Sequence, residues 1–154
     1  MIVRIKRTKV VGNGVAGLKS IPPKPTTVEV GFPAGETDSD VLERAFFNNF
    51  GTSRIPERPF MQNALRDGRA GNRSAMIQGA KTIVRAAVMG KDATAAARQV
   101  LRKLGIKVQG DIQEEINALQ TPPNAPSTIA QKGSSNPLVD TGELRSSVTF
   151  KIKD

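Results

Sequence analysis

The chain has 154 residues, 38% of them hydrophobic and only 4% aromatic, and a net charge of +9. That length fits one domain with a modest aliphatic core. With no Cys and no His, disulfides, thiolate nucleophiles, Cys/His zinc sites and imidazole bases are excluded. No apolar run approaches the ~18 residues of a membrane span, and Arg4 and Lys6 interrupt the apolar start where a signal peptide needs its h-region. A soluble protein with no membrane partner is the expectation.

The charge is unevenly placed. Residues 1–24 hold six Lys/Arg and no acid, and residues 25–53 hold Arg44 against Glu29, Glu36, Asp38, Asp40 and Glu43. Residues 54–107 hold twelve basic and three acidic side chains, and residues 108–154 four and six. A basic middle between acidic segments suits self-association of unlike faces or contact with a polyanion; a solvated helix surface is the plainer alternative.

In chain order, residues 1–6 read as a strand with Val3 and Ile5 inward and Arg4 and Lys6 outward. Gly12-Asn-Gly-Val-Ala-Gly17, followed by Pro22, Pro23 and Pro25, marks a flexible Gly/Pro loop over about residues 10–26. Residues 26–32 alternate through Val28, Val30 and Phe32 and predict a second strand. Over residues 41–50, Leu42, Phe46 and Phe50 recur every four residues as in a helix, but the aromatic run ending at Gly51 favours a strand. Pro59 suits the first turn of a helix through Met61, Leu65 and Arg66.

A helix from Asn72, as N-cap, to about Gly90 follows, with Ile77, Ala80, Val84, Ala87 and Val88 on its inner face. Asp92 caps the next one. There Ala97, Leu101, Leu104, Val108, Ile112, Ile116 and Leu119 step by three or four residues, with a kink or break expected at Gly105. Ser127 is placed as the cap of one short turn. Asp140 is placed as the cap of another, with Glu143 reaching back as in a capping box. Val148, Phe150 and Ile152 then alternate with Thr149, Lys151 and Lys153 in a tied-down final strand. These elements predict an α+β fold, an antiparallel sheet of about four strands with helices on one face. The six Phe are assigned to the core.

Some motifs tempt. Gly12-x-Gly14-x-x-Gly17 matches a dinucleotide fingerprint as a string, but Pro22 and Pro23 leave no room for the helix that must follow, so no cofactor is expected. Asp140-Thr141-Gly142 matches the aspartic-protease triplet, but a capped turn before the last strand explains it. Asn72-Arg73-Ser74 fits a glycosylation acceptor and reads as a helix start. Arg54, Arg58, Arg66, Arg69 and Arg73 form a basic stretch without Trp or Tyr to stack bases, which suits backbone contact and not sequence reading.

Three segments together resemble a known family: Phe50-Gly-Thr-Ser-Arg-Ile-Pro-Glu-Arg-Pro-Phe60, Pro122-Pro-Asn-Ala-Pro-Ser-Thr-Ile-Ala-Gln-Lys132 and Pro137-Leu-Val-Asp-Thr-Gly-Glu-Leu144. In order, they resemble the tail-completion and neck proteins of tailed bacteriophages, a group of minor tail components. The residues carrying the likeness are Gly51, Thr52, Pro56, Arg58, Pro59 and Phe60; then Pro126, Thr128 and Lys132; then Leu138, Asp140, Thr141, Gly142 and Leu144.

The resemblance implies a non-catalytic virion protein, assembled in the bacterial host cytoplasm. It implies a ring of about six copies at the head–tail junction or tail top, bound to adjacent neck or tail proteins. Acidic residues 36–43 of one subunit would meet the Arg-rich segment 54–73 of its neighbour, with Arg54, Arg66, Arg69 and Arg73 as candidate contacts. Alternatively that segment faces DNA in the channel. Arg58 has a rival role, bridging loop carbonyls within its own subunit. A basic nucleic-acid-binding module is the second reading of the whole chain, and a hydrolase acting through Asp140 the third.

Overall fold

The computed structural model describes residues 2–6 and 26–153. The Gly12–Gly17 string and the three prolines after it lie outside the described residues, and so do the side chains of Val3, Ile5 and Lys6. The elements run β1 (Ile2–Lys6), β2 (Thr27–Gly31), α1 (Ser39–Phe50), α2 (Phe60–Asp67), α3 (Arg69–Val88), α4 (Ala93–Ala118), α5 (Pro126–Lys132), α6 (Glu143–Ser146) and β3 (Thr149–Lys153). Helix and sheet are mixed, and helix dominates.

The described sheet has three strands, in the order β1-β2-β3, and not about four. Both pairings are antiparallel. Val28 faces Ile152 and Val30 faces Phe150 across β2 and β3, so these four side chains share a face. Helix α4 packs on that face. The opposite face is charged. Glu29, in register with Arg4 and Lys151, is bonded by Arg4 Nε at 2.7 Å and by Lys153 Nζ at 2.8 Å.

The missing strand is α1. Its Val41, Ala45 and Asn49 are buried one turn apart, whereas Glu43 and Phe47, which a strand would put on the same face, are exposed and half-buried, so the burial follows a helix. Asp40 in the first turn complements the helix dipole. Phe46 and Phe50, expected in the core, are instead 51% and 44% exposed. Phe32 and Phe60 are buried, edge to face at 6.4 Å.

α2 follows Pro59, whose carbonyl accepts the Asn63 N–H at 2.9 Å. α3 starts at Arg69, three residues before the expected cap, and Asn72 is buried inside its first turn. Of the expected inner face Ala87 is buried, together with Asn72 and Gly79, whereas Ile77, Ala80, Val84 and Val88 point to solvent.

α4 is the core helix. Asp92 Oδ1 accepts from the Thr94 and Ala95 N–H groups at 2.8 and 3.1 Å, satisfying two of the four orphan donors there. The predicted stripe is buried from Ala97 to Ile116. The helix runs unbroken through Gly105. A Cβ at that position would stand 2.7 Å from the Phe150 ring and 3.1 Å from Val28, so the glycine lets the sheet lie close on the helix. That contact offsets the ~1 kcal/mol that an interior Gly costs.

α5 is capped at Ala125 with Pro126 in its first turn, not at Ser127. The cap of α6 is Gly142, at φ 80°, and not Asp140. Thr141 Oγ1 accepts the Glu143 N–H at 3.4 Å, and Glu143 turns to Arg44 instead of reaching back. One hydrophobic core joins β2, α1, α2 and α4 with Leu138, Leu144 and Val148 from the C-terminal stretch.

Candidate assembly surface

Segment 50–60 lies far in sequence from segments 122–132 and 137–144, and hydrogen bonds bring it to one corner with them. After α1, Gly51 adopts φ 72° and its N–H returns to the Phe47 carbonyl at 2.9 Å. A Cβ there would lie 2.9 Å from the Glu57 nitrogen, so the tight turn depends on glycine. Thr52 Oγ1 accepts from the Arg54 and Ile55 N–H groups at 3.2 and 3.0 Å. The chain then reverses, and the Arg58 N–H bonds the Asn48 carbonyl at 2.8 Å.

This hairpin-like turn sends Arg58 inward, where it is only 3% exposed. Its guanidinium donates to Pro122 O at 2.9 Å, Asn48 Oδ1 at 3.0 Å, and Pro123 O and Asn124 Oδ1, both at 3.1 Å. No carboxylate neutralises it among these acceptors. Burial pushes its pKa below the usual arginine value. The planar fork serves several oxygens at once, which a lysine ammonium cannot do with the same reach.

The third segment is joined by Asn124 and Asn136. Asn124 Nδ2 and Lys132 Nζ both donate to the Asn136 carbonyl, at 3.4 and 3.3 Å. Asn136 Oδ1 accepts from Leu138 and Val139 N–H at 3.0 Å each, and its Nδ2 donates to Asn117 O at 2.9 Å. Arg44 of α1 then ion-pairs with Glu143 of α6. Asn136 was not singled out from the sequence; its place just before a proline in an Asx-type turn was the available signal.

The motif residues thus divide. Arg58, Phe60, Leu138 and Leu144 are buried and hold the corner together, so none of them is offered to a partner. For Arg58 the rival role, bridging loop carbonyls of its own chain, is the one observed. Pro59, Thr128, Lys132 and Gly142 are half-buried, and Thr52, Pro56, Pro126, Asp140 and Thr141 are exposed. Asp140 lies on the surface; no group of three or more acidic residues positioned to hold a metal occurs among the described residues.

The remaining arginines are elsewhere. Arg66, Arg69 and Arg73 line one open depression at the α2–α3 junction, with Asp67, Ser74 and Ile77. Arg66 Nε pairs with Asp67 at 3.1 Å. Arg54 sits apart on the turn after α1. The acidic segment is partly spent within the chain, since Glu36 bonds Lys151 at 2.8 Å. Asp38 and Glu43 are exposed and make no ion pair with a described residue.

No helix of the described residues is long and apolar enough to cross a membrane. The chain matches no protein-family model, no curated protein and no solved structure.

Proposed function

We propose that this chain is a non-catalytic structural subunit of a tailed-bacteriophage virion. In this reading about six copies close into a ring at the head–tail junction or the top of the tail, as a neck, tail-completion or tail-terminator component. Its partners are further copies of itself and the adjacent neck or tail proteins. It needs no cofactor.

The observation that carries the reading is the convergence at Arg58. Segments 50–60 and 122–132 meet through one guanidinium, and Asn124 and Lys132 tie them to the stretch that opens the third. Motifs more than 60 positions apart share one guanidinium, as expected if they mark a single ancestral fold. The test is the particle mass of the purified full chain in solution. A closed multimer of about six supports the reading. Reproducible turnover of a substrate by that material contradicts it.

A second reading has one specific observation in its favour. Arg66, Arg69 and Arg73 are exposed around one depression, and α3 contains no acidic residue. Such a face suits the phosphate backbone of a nucleic acid. A salt-dependent shift of duplex DNA by the monomer supports it.

A further inference from the structure

Two helices carry apolar side chains on the side turned away from the core. On α3, Ile77, Val84 and Val88 are 48%, 52% and 69% exposed and fall on one stripe by their spacing of seven and four. On α1, Phe46 and Phe50 are exposed and touch each other, with ring centroids 4.8 Å apart. Glu43 lies on the same stripe, at helical spacing before Phe46. Scattered exposed apolar residues need no explanation, but two ordered stripes on separate helices do.

The flanking charges are opposite. α3 carries Arg69, Arg73, Lys81 and Arg85 and no acid, and none of these four pairs with a described residue. The outer side of α1 begins with Asp38, Asp40 and Glu43. The α1 stripe from Glu43 to Phe50 rises about 11 Å and fits within the about 17 Å from Ile77 to Val88.

We propose that the outer face of α1 on one copy docks against the outer face of α3 on the next. The proposal rests on the ring reading and names the surfaces that build the ring. Phe46 and Phe50 bury against Ile77, Val84 and Val88, with the α1 carboxylates beside the α3 cations. Pairing α3 with α3 would set four cations against four, which like-charge repulsion opposes. Pairing unlike faces is heterologous, the geometry that propagates from copy to copy and closes by rotation. A nucleic acid is the weaker occupant, because Ile77, Val84 and Val88 surround Lys81 with exposed apolar surface that phosphates cannot use.

The test uses the full chain and two variants at exposed positions, Phe46→Asp and Val84→Asp, each checked for unchanged circular dichroism and melting. Sedimentation is followed from micromolar to millimolar concentration. The wild-type chain is expected to form multimers. Each variant alone is expected to raise the association midpoint about a hundredfold, because it sets a carboxylate in an apolar contact. Mixed together, the two variants are expected to form a one-to-one dimer and nothing larger, since one sound α1 face meets one sound α3 face. Where either variant fails to fold, Glu43→Lys and Lys81→Glu replace them: each alone is expected to associate more weakly than wild type, and their mixture to recover multimers, because the two reversed charges meet each other and the two unchanged ones do too.

A wild-type ring that both variants also form overturns the proposed surfaces and leaves the ring reading standing. Variants that stay monomeric when mixed overturn the unlike-face pairing. A wild-type chain that is monomeric throughout overturns both the surfaces and the ring reading. If that monomer binds duplex DNA and loses it on Lys81→Glu, the basic face of α3 belongs to nucleic acid.

Discussion

Arg58 is a buried cation held only by neutral oxygens, and its surroundings are built around its shape. Replacing it with lysine keeps the charge but leaves several acceptors without donors. We expect Arg58→Lys to lower stability by about 2–4 kcal/mol in urea unfolding, with an unchanged denaturant slope. At Glu29 the controlling variable is pH. The hydrogen bond from Lys153 holds its carboxyl below the usual range, against the opposing effect of burial, and Arg4 adds to the lowering. Glu36 is lowered in the same direction by Lys151. A carboxyl whose folded value lies below its unfolded one adds stability above the unfolded value. It loses that stability as pH falls through the folded value. Unfolding should therefore become easier below about pH 4.5, and the double variant Glu29→Gln/Glu36→Gln should flatten that acid slope. Lys151 is raised by Glu36, so its contribution holds below its unfolded value and is lost as pH rises through the folded one, weakening the same strand in strong alkali.

At the scale of elements, α4 depends on a gap as much as on its apolar stripe. Gly105→Ala improves intrinsic helix propensity, yet its methyl group collides with the Phe150 ring. We expect a net loss of about 1–3 kcal/mol, the usual cost of overpacking, readable in a thermal melt. The Asp92 cap offers a milder comparison: Asp92→Ala should cost about 1 kcal/mol. Both sides of this helix show what a one-dimensional pattern can carry. Asp92 and the stripe from Ala97 to Ile116 were legible, because capping chemistry and the 3.6-residue period are local. The close approach at Gly105 was not, because it depends on a ring 45 positions further along the chain. α1 failed differently. Its Phe residues suggested a strand, but the buried stripe was the quieter one of Val41, Ala45 and Asn49, and the aromatic residues went outward. α3 was read correctly at Ala87 alone: it has two apolar stripes, and the small-residue one through Gly79 and Ala87 faces the core in place of the one through Ile77, Val84 and Val88. At the corner, the bridging of loop carbonyls by Arg58 was among the expectations, but which carbonyls was not legible, since no spacing rule links residue 58 to residues 122–124.

Across the whole molecule, charge is sorted by surface. α3 and its depression are basic, and the outer start of α1 is acidic. Association through these faces should weaken as ionic strength rises past about 0.1 M, where the screening length falls to about 10 Å. Light scattering across a salt titration checks this, and salt-insensitive particles would argue for contacts made by apolar area alone. The sheet has a further consequence, in time instead of space. β2 is the middle strand, and its partner β3 ends the described chain, so Val30 waits for a neighbour about 120 residues downstream. During synthesis the helices between them emerge first, while one edge of β2 has nothing to pair with. A ribosome that stalls before Thr149 leaves that edge open beside Val28 and Val30, a ready template for aggregation. The codons for β3 therefore decide whether each nascent copy completes its sheet or becomes a seed for aggregation.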